Sequence, residues 1–255
     1  KSLSKPKKIS IISGKNGKKI IGKKVDGSLK KSKIIGVWHP AVSNHVNALK
    51  DIEKKVHKDK SDLIIGVGGL GTTASLYLAN SGIGNITIND YDSVDITNLP
   101  RQILFNSEDL GKNKAEAAKK KPLIFNPNIS VEISTDKLKE EELEGLVLNV
   151  DVVLDCTDNL QSRLLINKVC IKSKRSLISG AAIRYEGHIA VFRYDIAIKS
   201  CYRCLYEIQN ENLENCEGSG ILAPVAGLVG TIMATEAIKI LVGQDSMLNN
   251  KLWVL

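Results

Sequence analysis

At 255 residues with 43% hydrophobic composition, the chain can bury one large core, or a core plus a small appendage. Its net charge of +8 divides unevenly: residues 1–60 carry 17 Lys against 4 acids, while residues 61–255 carry 19 basic and 24 acidic residues. With no aromatic interleaving among those lysines a nucleic-acid role is not expected, and with no secretory segment or bilayer-length run after them a cytoplasmic, non-membrane protein is.

Residues 1–40 read as a basic N-terminal segment, partly mobile or forming short strands around Ile9 to Ile12 and Lys33 to Val37. Residues 41–255 read as the nucleotide-binding domain. Its first element is a helix from Ala41 to about Lys58, where Val42, Val46, Leu49, Ile52 and Val56 recur every three to four residues.

The stretch DLIIGVGGLGTTASLYLANSGIGNITINDYD, from Asp62 to Asp92, carries the fold assignment. Leu63, Ile64 and Ile65 suit a buried central strand, and Gly66, Gly68 and Gly71 follow in the G-x-G-x-x-G spacing. A helix from Thr72 to Ser81 would turn its free N–H groups toward an anion. Ile86, Thr87 and Ile88 form the next strand, which ends at Asp90, placed to take a ribose hydroxyl. This pattern predicts a nucleotide site but does not choose between NAD and ATP.

Farther along, a strand is centred on Val131 and Ile133, a helix on Leu138 to Leu146, and a buried strand lies within DVVLDCTD, Asp151 to Asp158. Leu164 to Ser173 suits a helix and Ser176 to Gly180 a strand. GHIAVFRYD, Gly187 to Asp195, alternates with period two, as an antiparallel strand does. Val225 to Gly243 is a long apolar helix whose Glu236 and Lys239 favour packing in a core over spanning a membrane. The expected fold is α/β: a Rossmann-like, doubly wound, mainly parallel sheet with an antiparallel extension in the C-terminal part.

Two cations favour ATP over NAD. An enzyme that transfers a nucleotide must neutralise three phosphates and the charge of departing pyrophosphate; Arg101 offers a planar fork of donors and Lys114 a point charge. Both could equally be ordinary surface cations.

GVGGLG, INDYDSVDITNLPRQ, GKNKAEAA, LDCTDN, SGAAIRYEG and CYRC together resemble the MoeB/ThiF family, bacterial relatives of the ubiquitin-activating enzymes, over Leu63 to about Gly243. The resemblance implies ATP-dependent adenylation of the C-terminal glycine of a small ubiquitin-like sulfur-carrier protein ending in Gly-Gly, with pyrophosphate released. SGAAIRYEGHIAVF followed by CYRC resembles the type that activates the molybdopterin-synthase carrier. By the same resemblance Gly66, Gly68, Gly69 and Gly71 form the phosphate loop and Asp90 binds the ribose. Asn98 and Arg101 face the phosphates, Lys114 lies on the α-phosphate side, and Asp158 holds Mg²⁺. Asp92 and Gln102 join them as cofactor-binding residues, and a homodimer is implied. Alternatives are adenylation of a peptide or tRNA-linked carboxylate, or a catalytically weakened module that binds a ubiquitin-like protein.

Cys156 and Cys170 read as buried, inert thiols. Cys201 and Cys204, spaced C-x-x-C, have the bite of half a tetrahedral Zn²⁺ site. The family takes two further ligands from a later C-x-x-C; the expectation is that this pair lies beyond Leu255, with loss of the metal or ligands from elsewhere as the other readings. Cys216 matches a loop cysteine that in some relatives joins covalently to the carrier. Residues 1–61 contain no arginine, whereas relatives usually reach the partner subunit's site with one.

Overall fold

The computed structural model describes residues 8–13, 35–40, 61–197, 200–205 and 220–255. The chain divides into two compact units, Lys1–Ile52 and Glu53–Leu255. In the first, β1 (Lys8–Ser13) pairs in parallel with β2 (Ile35–Pro40), from Lys8 opposite Ile35 to Ser13 opposite Pro40. The two short strands expected there are present, the second shifted toward Pro40. The helix expected over 41–58 lies outside the described residues.

The second unit is built on a seven-stranded sheet. Its strands are β3 (Ser61–Ile65), β4 (Asn85–Asn89), β5 (Ser130–Ser134), β6 (Val152–Asp155), β7 (Ser176–Ile183), β8 (Glu186–Phe192) and β9 (Leu252–Val254), in the order β5-β4-β3-β6-β7-β8-β9. The first five lie parallel, and β8 and β9 run antiparallel to their neighbours, as the alternation in GHIAVF predicted. Between the strands run α1 (Gly69–Asn80), α2 (Lys114–Lys119), α3 (Lys121–Phe125), α4 (Glu140–Leu148), α5 (Leu160–Lys172), α6 (Tyr202–Leu205) and α7 (Ala223–Leu241).

Period-two alternation in the strands feeds two helical layers. Ile65, Val153, Leu177 and Phe192 form one buried cluster with Leu143 and Val147 of α4 and Ile166 and Val169 of α5. The opposite face meets α1 and α7. A Cβ on Gly180 of β7 would run into Met233 of α7 and Leu70 of α1. The same close approach recurs between helices, where a Cβ on Gly230 would overlap the Leu70 carbonyl oxygen.

By length and composition α7 qualifies as a membrane span, but 56% of its apolar window is buried inside the fold. Its Glu236 accepts hydrogen bonds from Lys239 Nζ at 2.7 Å and from Ser246 Oγ at 2.5 Å. The expected packing role is thus the one observed. α1 starts three residues before the expected Thr72, since the chain turns into helix directly after Gly68.

Candidate active site

In the sheet β3 sits between β4 and β6, so the chain leaves β3 toward one edge and, after β5, returns to its other side at β6. At such a switch point the loops after the two strands part and leave a crevice at their carboxyl ends. A cavity of about 710 Å³ lies there, lined by residues of the turns after β3, β4 and β6. That volume suits a nucleotide.

The glycines of the first turn divide by cause. Gly66 has φ +88°, and a Cβ on it would stand 3.0 Å from the Cys156 carbonyl oxygen of the turn after β6. A Cβ on Gly71 would overlap the Gly66 carbonyl oxygen, so this glycine lets α1 start tight against β3. At Gly69 a Cβ would meet Ala226 at 3.0 Å and the Arg101 carbonyl oxygen at 3.3 Å. Gly68 is different: its nearest neighbour would be Gln102 Nε2 at 3.8 Å, so the protein itself leaves room there. Gly68 caps α1 without a side-chain hydrogen bond and lines the cavity, a cradle suited to close approach by an anion.

Asp90 follows β4 and is buried. Its Oδ2 accepts the Val67 N–H at 2.7 Å and its Oδ1 the Asp92 N–H at 2.9 Å, which ties the end of β4 to the glycine turn. Burial raises its pKa, against the pull of the Lys114 ammonium and these two N–H donors.

Lys114 is brought in by a short antiparallel contact. The Val94 N–H donates to the Lys112 carbonyl and the Lys114 N–H to the Asp92 carbonyl, both at 2.8 Å, while the Asn113 amide donates to the Asp90 carbonyl at 3.1 Å. This leaves Lys114 at the first turn of α2, 6% exposed and on the cavity wall.

Arg101, also on the cavity wall, donates from Nη1 to the Thr97 carbonyl at 3.1 Å and from Nη2 to Asn98 Oδ1. Gln102 is buried, and its Oε1 has no hydrogen-bond partner, an unusual state for an interior polar atom. Asp158 lies exposed on the turn after β6, next to Asn159, whose Oδ1 accepts the Ser162 N–H at 2.9 Å and caps α5. Oxygen donors of this kind fit Mg²⁺.

Gly66, Gly68, Gly69, Asp90, Asp92, Asn98, Arg101, Gln102, Lys114 and Asp158 thus line one cavity, with Gly71 directly beneath. Cys201 and Cys204 are not in its wall. Their sulfurs lie 3.2 Å apart, and among the described residues no group of three or more His, Cys, Asp or Glu is placed to hold a metal. Cys216 lies outside the described residues. Cys156 and Cys170 are buried, and burial pushes both thiols well above the usual range.

Sequence reasoning missed the polar group behind the site. Asp155, the last residue of β6, is fully buried; its Oδ1 accepts from the Thr157 N–H at 3.1 Å and hydroxyl at 2.7 Å, and its Oδ2 accepts from the Ser179 hydroxyl at 3.0 Å. Arg163 of α5 joins them. Its Nη2 donates to the Thr157 carbonyl, and its Nη1 lies 3.3 Å from Ser179 Oγ and 3.8 Å from Asp155 Oδ2. An acid ending the apolar run VVLD was the available signal.

The model of the ThiF family matches residues 43–255. The chain belongs to the ThiF family. It is 43% identical over 195 residues to the molybdopterin-synthase adenylyltransferase of Escherichia coli (strain K12), covering 76% of this chain and 78% of that protein. Over 188 residues it is 41% identical to the sulfur carrier protein ThiS adenylyltransferase of the same organism, covering 74% of each. Among solved structures, E. coli MccB with ATP superposes with a TM-score of 0.70 at 26% identity, over 81% of this chain and 63% of that one. This ThiF-family chain therefore spans less than two thirds of MccB. Membership in the family and the Rossmann-like fold agree with the motifs GVGGLG, LDCTDN and CYRC read together.

Proposed function

We propose that this chain adenylates the C-terminal carboxylate of a small ubiquitin-like sulfur-carrier protein. A carboxylate oxygen of the carrier attacks the α-phosphorus of ATP. The bond from that phosphorus to the bridging oxygen breaks, and pyrophosphate leaves with the electron pair. The observation that carries this reading is the convergence of Arg101, Asn98 and Lys114 with the carboxylate of Asp158 around one glycine turn. The relatives named as adenylyltransferases at 41–43% identity support it.

No side chain need act as nucleophile, so catalysis rests on positioning and on fixed charge. Arg101, oriented by Asn98, and Lys114 oppose the charge that grows on the phosphates. Asp90 would take a ribose hydroxyl beside the turn, with Asp92 and Gln102 as further nucleotide contacts on the same cavity wall. Asp158 would hold Mg²⁺, which when bound offsets phosphate charge.

The finer elements are a carrier ending in Gly-Gly, the molybdopterin-synthase type, a cytoplasmic homodimer, and a structural Zn²⁺ for which Cys201 and Cys204 supply two of four ligands. Cys216 would join covalently to the carrier in a step separate from adenylation.

ATP–pyrophosphate exchange tests the proposal. Exchange should depend on a carrier ending in Gly-Gly and vanish when that carrier's terminal carboxylate is amidated. Equal exchange with the amidated carrier would refute carboxylate activation.

A further inference from the structure

The C-x-x-C turn and the turn that carries Asp158 share one helix. On α5, Arg163 and Asn167 lie four residues apart and so project from the same face. Arg163 reaches forward to the Thr157 carbonyl, one residue before Asp158, and is held there by Ser179 Oγ at 3.3 Å and Asp155 Oδ2 at 3.8 Å. Asn167 reaches the other way: its Oδ1 accepts the Tyr202 N–H at 3.0 Å and the Tyr194 hydroxyl at 2.6 Å. Tyr202 stands between Cys201 and Cys204, and its ring lies under the Arg163 guanidinium, 6.0 Å from centroid to Cζ. Arg163, Asn167 and Tyr202 are all buried.

We infer that α5 is a two-ended brace in which Arg163 is a positioning residue for Asp158, and Tyr202 ties the C-x-x-C turn to that same guanidinium. Arg163 touches no reacting atom in this scheme. It fixes the Thr157 peptide, and with it the direction in which the Asp158 carboxylate enters the cavity. The planar fork is essential, because one side chain must serve the Thr157 carbonyl and the Ser179–Asp155 pair at once; a lysine keeps the charge but not the fork. The inference rests on the proposed role of Asp158 toward Mg²⁺.

Arg163→Lys, Tyr202→Leu and Asp158→Ala would be compared in two measurements. One is the rise in melting temperature produced by ATP with Mg²⁺ over ATP with EDTA, which reports metal-assisted binding without turnover. The other is the Mg²⁺ dependence of pyrophosphate exchange. Arg163→Lys should lose most of the metal-dependent melting shift, need more Mg²⁺ for half-maximal exchange, and exchange on the order of tenfold to a hundredfold more slowly. Tyr202→Leu should move every readout the same way by less.

An Arg163→Lys protein that merely melts lower, with its metal-dependent shift and Mg²⁺ requirement unchanged, would overturn the inference. If Asp158→Ala keeps the shift, the role of Asp158 falls first and independently. Should Arg163→Lys not fold, the pair Asp155→Asn with Arg163→Gln removes both buried charges together and is read by the same criteria.

Discussion

Lys114 Nζ lies 3.1 Å from Asp92 Oδ2 across 22 residues of sequence, and the two ends of this pair see different surroundings. The lysine side chain is 8% exposed and the aspartate side chain 52%. The buried cation is thus held by a partner that solvent or a ligand can replace.

Exchange of that partner for phosphate predicts an asymmetry. Lys114→Met should slow pyrophosphate exchange by about a hundredfold, on the order of 3 kcal/mol of lost transition-state stabilisation. Asp92→Asn should cost less than about tenfold, because the ammonium then turns wholly to the nucleotide. Steady-state exchange kinetics for both variants decide it; a larger loss in Asp92→Asn would show that the carboxylate, not the cation, does the essential work.

The glycine turn predicts two opposite phenotypes from one kind of change. Gly71→Ala places a methyl against the Gly66 carbonyl and should destabilise the fold by about 1–3 kcal/mol. Gly68→Ala has room and should melt like the parent without nucleotide, yet lose the melting shift that ATP produces. Equal ATP shifts in parent and Gly68→Ala would remove Gly68 from the phosphate cradle.

Asp62, at the start of β3, is fully buried with neither carboxyl oxygen paired. Burial, and then the nearby Asp151, hold its pKa well above the usual range, so the folded state binds this proton more tightly than the unfolded one. Its contribution to stability is therefore full below the unfolded pKa of about 4 and is lost as pH rises through the higher folded value. Urea midpoints at pH 4.5 and 7.5 should show the parent losing more stability over that interval than Asp62→Asn. Identical slopes for the two proteins would contradict this account.

The thiols should divide by position. In folded protein stripped of metal with EDTA, iodoacetamide should label Cys204, which is exposed, and Cys201, whose thiol is held below the usual range: burial opposes this, but the Cys204 thiol and the N–H groups of Cys204 and Arg203 outweigh it. Cys156 and Cys170 should stay unlabelled until unfolding. Mass spectrometry of the labelled peptides reads this directly, and Cys216→Ala should leave exchange near the parental rate because no thiol is needed to form the adenylate.

What could be read from the sequence was local. The β3–α1–β4 unit needs only neighbours: an apolar run, glycines at set intervals and an acid after the next strand. Arg163 was invisible because its burial is created by Thr157, by Ser179 16 residues on, and by Tyr202, which no local pattern brings together. β9 was missed for a similar reason. Leu252–Val254 is a strand only through its pairing with β8, Val254 opposite His188, and three residues carry too little alternation to announce it.

Close seating of α7 on α1 has a consequence for how this chain could be cut or recombined. Gly230 touches the backbone of α1 at Leu70, and Gly69 at the head of α1 abuts Ala226, so the helix behind the glycine turn takes its placement from residues more than 150 positions later in the chain. The N-terminal βαβ unit alone is then not a portable cassette. A graft of residues 61–158 into another scaffold would carry the glycines and Asp158 but leave behind the surface that sets their angle, whereas exchanges confined to the edge strand β9 would leave that surface in place.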